Sequence, residues 1–508
     1  MSEQTQTQEQ VTLGQRSTQL RNLVKKNIIV GLHTFYHDGA IFTLNVETYE
    51  TRYLKFERIS EVKGQYYNDL NSWIKYLNHI GYSIEQVIDV WLVSTVNFLY
   101  ESDLNIKHSI QYRLVDHHVA HIHSGNELNG LVIDNIGSQI DSFTIFKKRQ
   151  QKLKLDSYNH FSLGGVLDNL WNRWFLKDKV NSKNTGMYAG HTMALHGFGE
   201  DYSSLIDIQN KGLSKEAFEI FKSKFKDIST EKICNNYVTS LHYYWYKKIK
   251  RHLKNYFTKK DRISFTGGVG HNIVLNTMLK KDFPNLEPIP HCGDEGTPIG
   301  ALFWINSITR KAPNLKVNFK SLHQWDENFG YASKETIKKV AEYLKQGKIV
   351  MWGQGWGEIG PRALGFRSIL MDPCVENAKQ VINDKIKKRI WFRPYGASVP
   401  TECYKDYFDL NFESPWMLYQ AKVKDPIKFK NITHVDGTCR IQTVGMDHNP
   451  PYLKLLREFE NLSGYPVLIN TSMNLPGKPI VGTKKQAKIM FDNSQADVLV
   501  MGDEIYTK

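Results

Sequence analysis

The chain reads as an α/β protein. Three observations predict this. Short β-branched apolar runs alternate with longer amphipathic stretches, and Gly-rich turns follow several of those runs. At 508 residues the chain also exceeds what one hydrophobic core organises, so two or three units are expected. With 41% hydrophobic and 12% aromatic residues the composition is globular, and no uninterrupted apolar run reaches the roughly 20 residues of a membrane span.

The elements follow in order. Residues 1–26 are polar and Gln/Thr-rich, without the apolar segment of a secretory signal, and predict a disordered tail on a soluble cytoplasmic protein. Ile28 to Leu32 and Ile41 to Val46 predict a hairpin around Phe35-Tyr36-His37-Asp38-Gly39. Tyr67 to His79 predicts a helix, Val87 to Val93 a buried strand, and Leu131 to Asp134 another. Residues 214–257 predict helix throughout, and Ile263 to Phe265 a strand entering the turn Thr266-Gly267-Gly268. Periodicity fades between Lys311 and Gly330, which places a boundary near 325. Beyond it Glu335 to Lys345 predicts a helix, Ile349 to Trp352 a strand, and Tyr465 to Asn470 a later strand. No internal repeat is visible. The five cysteines (Cys234, Cys292, Cys374, Cys403, Cys439) lack C-x-x-C spacing, which argues against a disulfide framework or zinc ribbon and fits a reducing compartment.

Two stretches concentrate chemistry. In Asp116-His117-His118-Val119-Ala120-His121, His117 and His121 are four residues apart and share one face if the segment is helical. An isolated pair at this spacing is usually two ordinary histidines, but Asp134 and Asp294 both lie in turn-rich settings that aim carboxylates into clefts. Two imidazoles and two carboxylates suit iron, manganese or zinc. The second stretch, Gly353 to Ser368, sets Arg362 and Arg367 in a Gly-rich turn, where guanidinium forks take oxyanions bidentately. It contains G-x-G-x-x-G from Gly355 to Gly360, but Pro361-Arg362 follow at once and no acidic strand end lies about 20 residues on, so the match is accidental. No G-x-x-x-x-G-K-[ST] occurs, which excludes a P-loop. Lys387, Lys388, Arg389 and Arg393 flank Trp391-Phe392, and Asn470-Thr471-Ser472 follows a strand; a solvated helix face accounts equally for the cationic run.

Together these segments resemble the NodU/CmcH-type O-carbamoyltransferase family, in order from about residue 28 to residue 503. The matching stretches also include Phe56-Glu57-Arg58 with Lys63, Ile133-Asp134 with Gly137, Ser162-Leu163-Gly164, Phe392-Arg393-Pro394, Ser414-Pro415 and His434 to Thr438. The resemblance implies an N-terminal TsaD-like domain of the ASKHA type (27–325) and a C-terminal YrdC-like domain (326–508). It implies that the second makes carbamoyl-adenylate from carbamoyl phosphate and Mg-bearing ATP, and that the first transfers the carbamoyl group to an alcohol. On the same basis His117, His121, Asp134 and Asp294 hold a divalent metal, iron first, with manganese or zinc also fitting. Gly267, Gly268 and Asn272 border the nucleotide. His37, with an ordinary pKa near 6.5, takes the hydroxyl proton, Asp38 orients it and Lys63 serves the transfer site. Arg362, Arg367, Lys387, Arg393, Asn470 and Ser472 contact carbamoyl phosphate or ATP. Three places depart from the family: Gly190-His191 where Gly-Lys is usual, Ile390 for a usual Glu, and Tyr395-Gly396-Ala397 for a usual Phe-Ala-Pro.

The net charge of +14 points beyond a small metabolite. Lysine-rich solvated surface is the plain explanation. Basic residues nevertheless cluster at Lys147, Lys148, Arg149, Lys152 and Lys154, and from Lys247 to Arg262 beside Tyr243 to Tyr246. The expected acceptor is therefore a hydroxymethylated pyrimidine, 5-hydroxymethylcytosine, in DNA. The alternatives are a small natural product or sugar, and a non-catalytic nucleic-acid binder on the same scaffold.

Overall fold

The computed structural model describes residues 25–34, 37–67, 71–94, 110–134, 141–156, 166–167, 170, 189–206, 215–309, 318, 322–389 and 391–508. Most of the predicted tail, Phe35-Tyr36, the motif stretches 135–137 and 162–164, much of 311–321 and Ile390 lie outside the described residues, as do the side chains of Gly190 and His191.

The α/β expectation holds, in three sheets. The first has the order β3-β2-β1-β4-β5, from β1 (Ile28–His33), β2 (Ala40–Asn45), β3 (Thr51–Lys55), β4 (Val87–Ser94) and β5 (Gln111–Asp116). β2 and β3 run antiparallel on one side of β1, while β4 and β5 run parallel on the other. The second sheet comprises β6 (Asn129–Ile133), β7 (Asp141–Lys147), β8 (Gln150–Asp156), β9 (Ile263–Thr266) and β10 (Leu286–Pro288), in the order β10-β9-β6-β7-β8. It repeats the first strand for strand: an antiparallel pair on one side of a central first strand, a parallel pair on the other. The expectation of no repeat is therefore corrected at the level of topology. Backbone pairing conserves the order, while the side chains that fill it differ.

The third sheet lies wholly after residue 349 and has nine strands. It is built from β11 (Val350–Gly353), β12 (Arg367–Met371), β13 (Gly396–Pro400), β14 (Phe408–Asp409), β15 (Tyr419–Val423), β16 (Thr438–Val444), β17 (Leu468–Ser472), β18 (Val498–Met501) and β19 (Glu504–Thr507), ordered β14-β15-β16-β13-β17-β12-β11-β18-β19. Its central strands are buried on both faces, the pattern of a covered sheet, though they carry polar residues such as Ser368, Ser398 and Asn470. The predicted Tyr465 to Asn470 strand starts later, at Leu468, and of the described residues in the predicted 67–79 helix only Ile74 to His79 are helical, after a turn at Ser72 and Trp73. The 214–257 helix is two helices. Asp227 takes a left-handed φ of 58° and Ser229 caps a new start at Thr230, its side chain accepting from the Lys232 amide.

Two helices position the site. α1 (His117–His123) begins because Asp116 caps it, its carboxylate accepting from the Val119 amide at 2.9 Å. α4 (Thr297–Thr309) crosses it; a Cβ on Gly300 would lie 1.6 Å from the Ala120 carbonyl oxygen, so only glycine permits the approach. Between them in sequence lie α2 (Thr230–Lys254) and α3 (Ile273–Asp282). Among the described residues no helix is long and apolar enough to cross a membrane.

Candidate active site and metal centre

The α1 cap directs His117 and His121 to one face, toward the end of β6 and the turn before α4. There Asp134 Oδ2 lies 3.0 Å from the Nε2 of each histidine, and Asp294 Oδ1 lies 3.3 and 3.6 Å from the same atoms. The two Nε2 atoms are 3.1 Å apart, and all four side chains are buried. Such separations match neighbouring donors around one ion with bonds of about 2.0–2.2 Å, and two nitrogens facing each other need a shared cation or proton. Burial opposes charge on His117, but Asp294 and Asp134 outweigh it and hold the imidazole up at about 10. Burial likewise opposes ionisation of Asp294, yet His117 and His37 keep it well below the usual carboxylate range. A divalent ion would take the place of those imidazole protons. His118 turns away and bonds Thr144 Oγ1 at 2.6 Å, leaving the ligand set.

A charged chain leads outward from this cluster. His37 Nε2 is 3.7 Å from Asp294 Oδ2, and its Nδ1 is 3.0 Å from Asp38 Oδ2. Asp38, at a φ of 56°, reaches Lys55 Nζ at 2.6 Å, and Lys55 reaches Glu57 at 3.2 Å. Lys55 is buried; desolvation works against its charge, but Asp38 and Glu57 raise it well above the ordinary lysine value. Glu295, next to the cluster, is pushed up to about 7 by burial against the pull of Lys55.

Asp38, Lys55, Glu57, Lys63 and Glu295 form one part of the wall of a cavity of about 750 Å³, and Arg362, Arg389, Arg393, Arg440, Lys387 and Ser472 form another. The four arginines are half-buried, and among the described residues none makes an ion pair. Burial lowers all four, and neighbouring guanidiniums depress Arg362, Arg393 and Arg440 further; Arg393 falls to about 9 and Arg440 well below its ordinary value. Clustered guanidiniums without carboxylates call for a polyanion. Lys387 donates to Asn474 Oδ1 at 2.7 Å and to the Asn474 carbonyl at 2.9 Å, which fixes the end of β17.

Residues 341–508 match the family described as Carbamoyltransferase C-terminus. Nodulation protein NolNO of Sinorhizobium fredii is 30% identical over 342 residues, covering 63% of this chain and 48% of that one. The 3'-hydroxymethylcephem-O-carbamoyltransferase of Amycolatopsis lactamdurans is 35% identical over 165 residues, 32% of each chain. The chain is thus similar to NodU/CmcH-type carbamoyltransferases, and its C-terminal third matches their family model. It spans about half the length of the curated relatives it matches first. Among solved structures, that of T. kodakarensis HypF covers 57% of this chain and 48% of its own, at 11% identity and a TM-score of 0.38.

Of the residues implied by the resemblance, the structure brings the four ligand candidates together and sets Asp38, Lys63, Gly268, Arg362, Lys387, Arg393, Asn470 and Ser472 on one cavity wall. Three expectations are corrected. Arg367 is fully buried, with guanidinium bonds to the carbonyls of Gln354 at 2.8 Å and Glu327 at 2.6 Å, so it braces the loop instead of meeting an anion. Asn272 caps α3, accepting from Val274 and Leu275 and donating one N–H to His242, and it does not line the cavity. Gly267 serves a close approach, since a Cβ there would meet the Ile133 carbonyl at 2.2 Å; Gly268 is the one that borders the cavity. His37 is also not neutral here: Asp294 before all else raises it to about 10.

Lys55, Glu295, Arg389 and Arg440 were not assigned roles from sequence. Lys55 and Arg440 carried a weak signal, a charge flanked directly by apolar residues (Tyr53-Leu54-Lys55-Phe56 and Cys439-Arg440-Ile441). Of the departures, Tyr395 is buried, with the Arg389 guanidinium 5.2 Å from its ring centre.

Proposed function

We propose that this chain is an ATP-dependent O-carbamoyltransferase acting in the cytoplasm, with a TsaD-like unit over 27–325 and a YrdC-like unit over 326–508. The observation that carries the reading is the single cavity whose wall includes both the arginine group and the chain of charges leading to the His/Asp cluster. The doubled five-strand order of the first half supports the ASKHA-type assignment.

In this reading water hydrolyses carbamoyl phosphate to carbamate and inorganic phosphate, and a carbamate oxygen attacks the α-phosphorus of ATP, which would carry magnesium. Pyrophosphate leaves and carbamoyl-adenylate remains. Arg362, Arg389, Arg393 and Arg440 offset the phosphate charge, and Lys387 holds the Ser472 strand end against it. The acceptor oxygen then attacks the carbamoyl carbon, AMP leaves, and the hydroxyl proton passes to His37. A divalent ion held by His117, His121, Asp134 and Asp294, iron first by donor type, would neutralise phosphate charge and draw on Asp294, freeing His37 to act as a base.

The proposed acceptor is the hydroxymethyl group of a modified cytosine in DNA. The net charge of +14 supports a polyanionic acceptor. A small hydroxymethylated molecule is the second reading, favoured by the name of the cephem relative. Mass spectrometry of hydroxymethylcytosine-containing DNA, incubated with protein, ATP and carbamoyl phosphate, tests the first: one carbamoyl is expected per modified base. Carbamoylation of free nucleosides or sugars with none on DNA selects the second. Absence of pyrophosphate release without acceptor removes the adenylate route.

A further inference from the structure

The cationic surface has a definite geometry. On α2, Tyr243, Lys247, Arg251 and Lys254 are spaced four, four and three residues apart, so at about 100° per residue they fall within an arc of about 80°. Tyr243 stands at one end of this stripe with its ring centre 6.0 Å from that of His196, a cavity-wall residue. Lys247, Arg251 and Lys254 are exposed, and the stripe runs about 16 Å from Tyr243 to Lys254 at 1.5 Å per residue.

The charge continues past the helix. Residues 247–262 hold eight Lys or Arg and one carboxylate; residues 147–154 hold five and none. The β7–β8 turn reaches the same edge. His252 of α2 lies 5.7 Å, ring to ring, from Phe143 of β7, and Asn129 bonds both the Lys148 amide and the Arg262 carbonyl. Within that turn Lys148 and Arg149 occupy left-handed φ values of 51° and 61°, where Asn and Gly are preferred, so cations are held there at a conformational cost. The nearby carboxylates are engaged: Asp282 with Lys250 at 2.8 Å, Asp201 with Lys247 at 3.7 Å, Glu127 with Arg262 at 3.7 Å, and Asp261 with Thr258. A helix dipole favours cations in the last turn of α2 but explains neither the 259–262 loop nor the hairpin turn.

We infer that this stripe, continued by Arg262 and the β7–β8 turn, is the docking surface for a single-stranded nucleic acid whose base enters the cavity beside His196. The inference rests on the reading of DNA as acceptor and adds where the polymer lies. A strand is favoured over a duplex because a base must leave its stack to enter an enclosed site. A track of cations that starts at an aromatic residue is the arrangement single-strand binders use, over sites of roughly 4–16 nucleotides.

The test uses the full chain and a fluorescent 20-nucleotide single-stranded oligodeoxynucleotide, compared with the double variant Arg251→Glu, Lys254→Glu. Wild-type affinity is expected to fall steeply with salt. The variant should bind at least about ten-fold more weakly, with a log–log salt slope shallower by about 1.4, two contacts at about 0.7 each. Its pyrophosphate release without acceptor should be unchanged, which shows that it is folded. Equal binding by variant and wild type overturns the surface, as does tighter binding of anionic vesicles or polyglutamate than of the oligonucleotide. Loss of binding in the variant with no carbamate transferred to hydroxymethylated DNA by wild type keeps the surface and removes the acceptor reading. Transfer that survives in the variant at wild-type rate does the reverse.

Discussion

Arg393→Met separates a residue kept for stability from one kept for a ligand, because the two effects have opposite signs. The Arg393 guanidinium is drawn from its usual 12.5 down to about 9 by burial first, then by Arg389 and Arg362. A base with a depressed folded value destabilises the folded chain at every pH below that value, pH 7.5 included. At 1.36 kcal/mol per tenfold the depression corresponds to about 5 kcal/mol. Solvent in the cavity screens much of this, and methionine keeps the aliphatic packing, so a gain of about 1–3 kcal/mol is expected for the ligand-free variant. Urea unfolding with and without ATP provides the assay. At free ATP of about 100 times its Kd the wild type should gain about 2.7 kcal/mol. If the lost charge-assisted bonds weaken ATP about 100-fold, the variant should gain only about 0.4 kcal/mol under the same conditions. A variant that is less stable than wild type without ATP, and equally stabilised by it, would refute the assignment of the arginines to an anion.

Three further outcomes follow from the same geometry. Lys55→Met leaves the buried carboxylates of Asp38 and Glu57 without their ammonium and should cost about 3–5 kcal/mol in urea unfolding, with a loss under 1 kcal/mol counting against the relay. Protein purified from metal-supplemented cells should carry about one divalent ion per chain by elemental mass spectrometry, and His121→Ala or Asp294→Asn should each remove most of it; retention in both would place the ion elsewhere. His242 is pushed down to about 3 by burial and then by His196, so its contribution to stability is complete above pH 6.5 and lost as pH falls toward 3. About 2 kcal/mol should be gone by pH 5, and His242→Gln should flatten that part of the profile.

What could be seen in the sequence depended on whether a residue's partners were local. His117 and His121 were legible because the helix that aligns them is signalled by Asp116 three residues before Val119, and the spacing alone sets the shared face. That Asp134 and Asp294 join them depends on β6 and α4 meeting α1, a crossing set by Gly300 against Ala120 that no window of sequence contains. Arg362 and Arg367 looked alike, five residues apart in one Gly-rich turn, yet one borders the cavity and the other is enclosed. The difference lies in Phe329, 3.6 Å from the Arg367 guanidinium, and in the Glu327 carbonyl, both supplied by a segment about 40 residues away. The same holds for Asn272, which reads as a ligand group in a Gly-rich turn and proves to be the cap that starts α3.

The distant partners also decide how the charges behave. Asp294 is the common neighbour of His33, His37, His117 and His121, so the protonation of any one of them depends on what the others hold. With protons alone in the cluster, His37 is kept charged at about 10 and has no lone pair to offer an alcohol. A cation that occupied the four ligands would spend Asp294's charge, and His37 would move back toward its ordinary 6.5. In the proposed mechanism, coupling of this kind would make the base available only when the group that neutralises the leaving phosphate is already in place, and so would tie proton removal to the presence of the electrophile's own support.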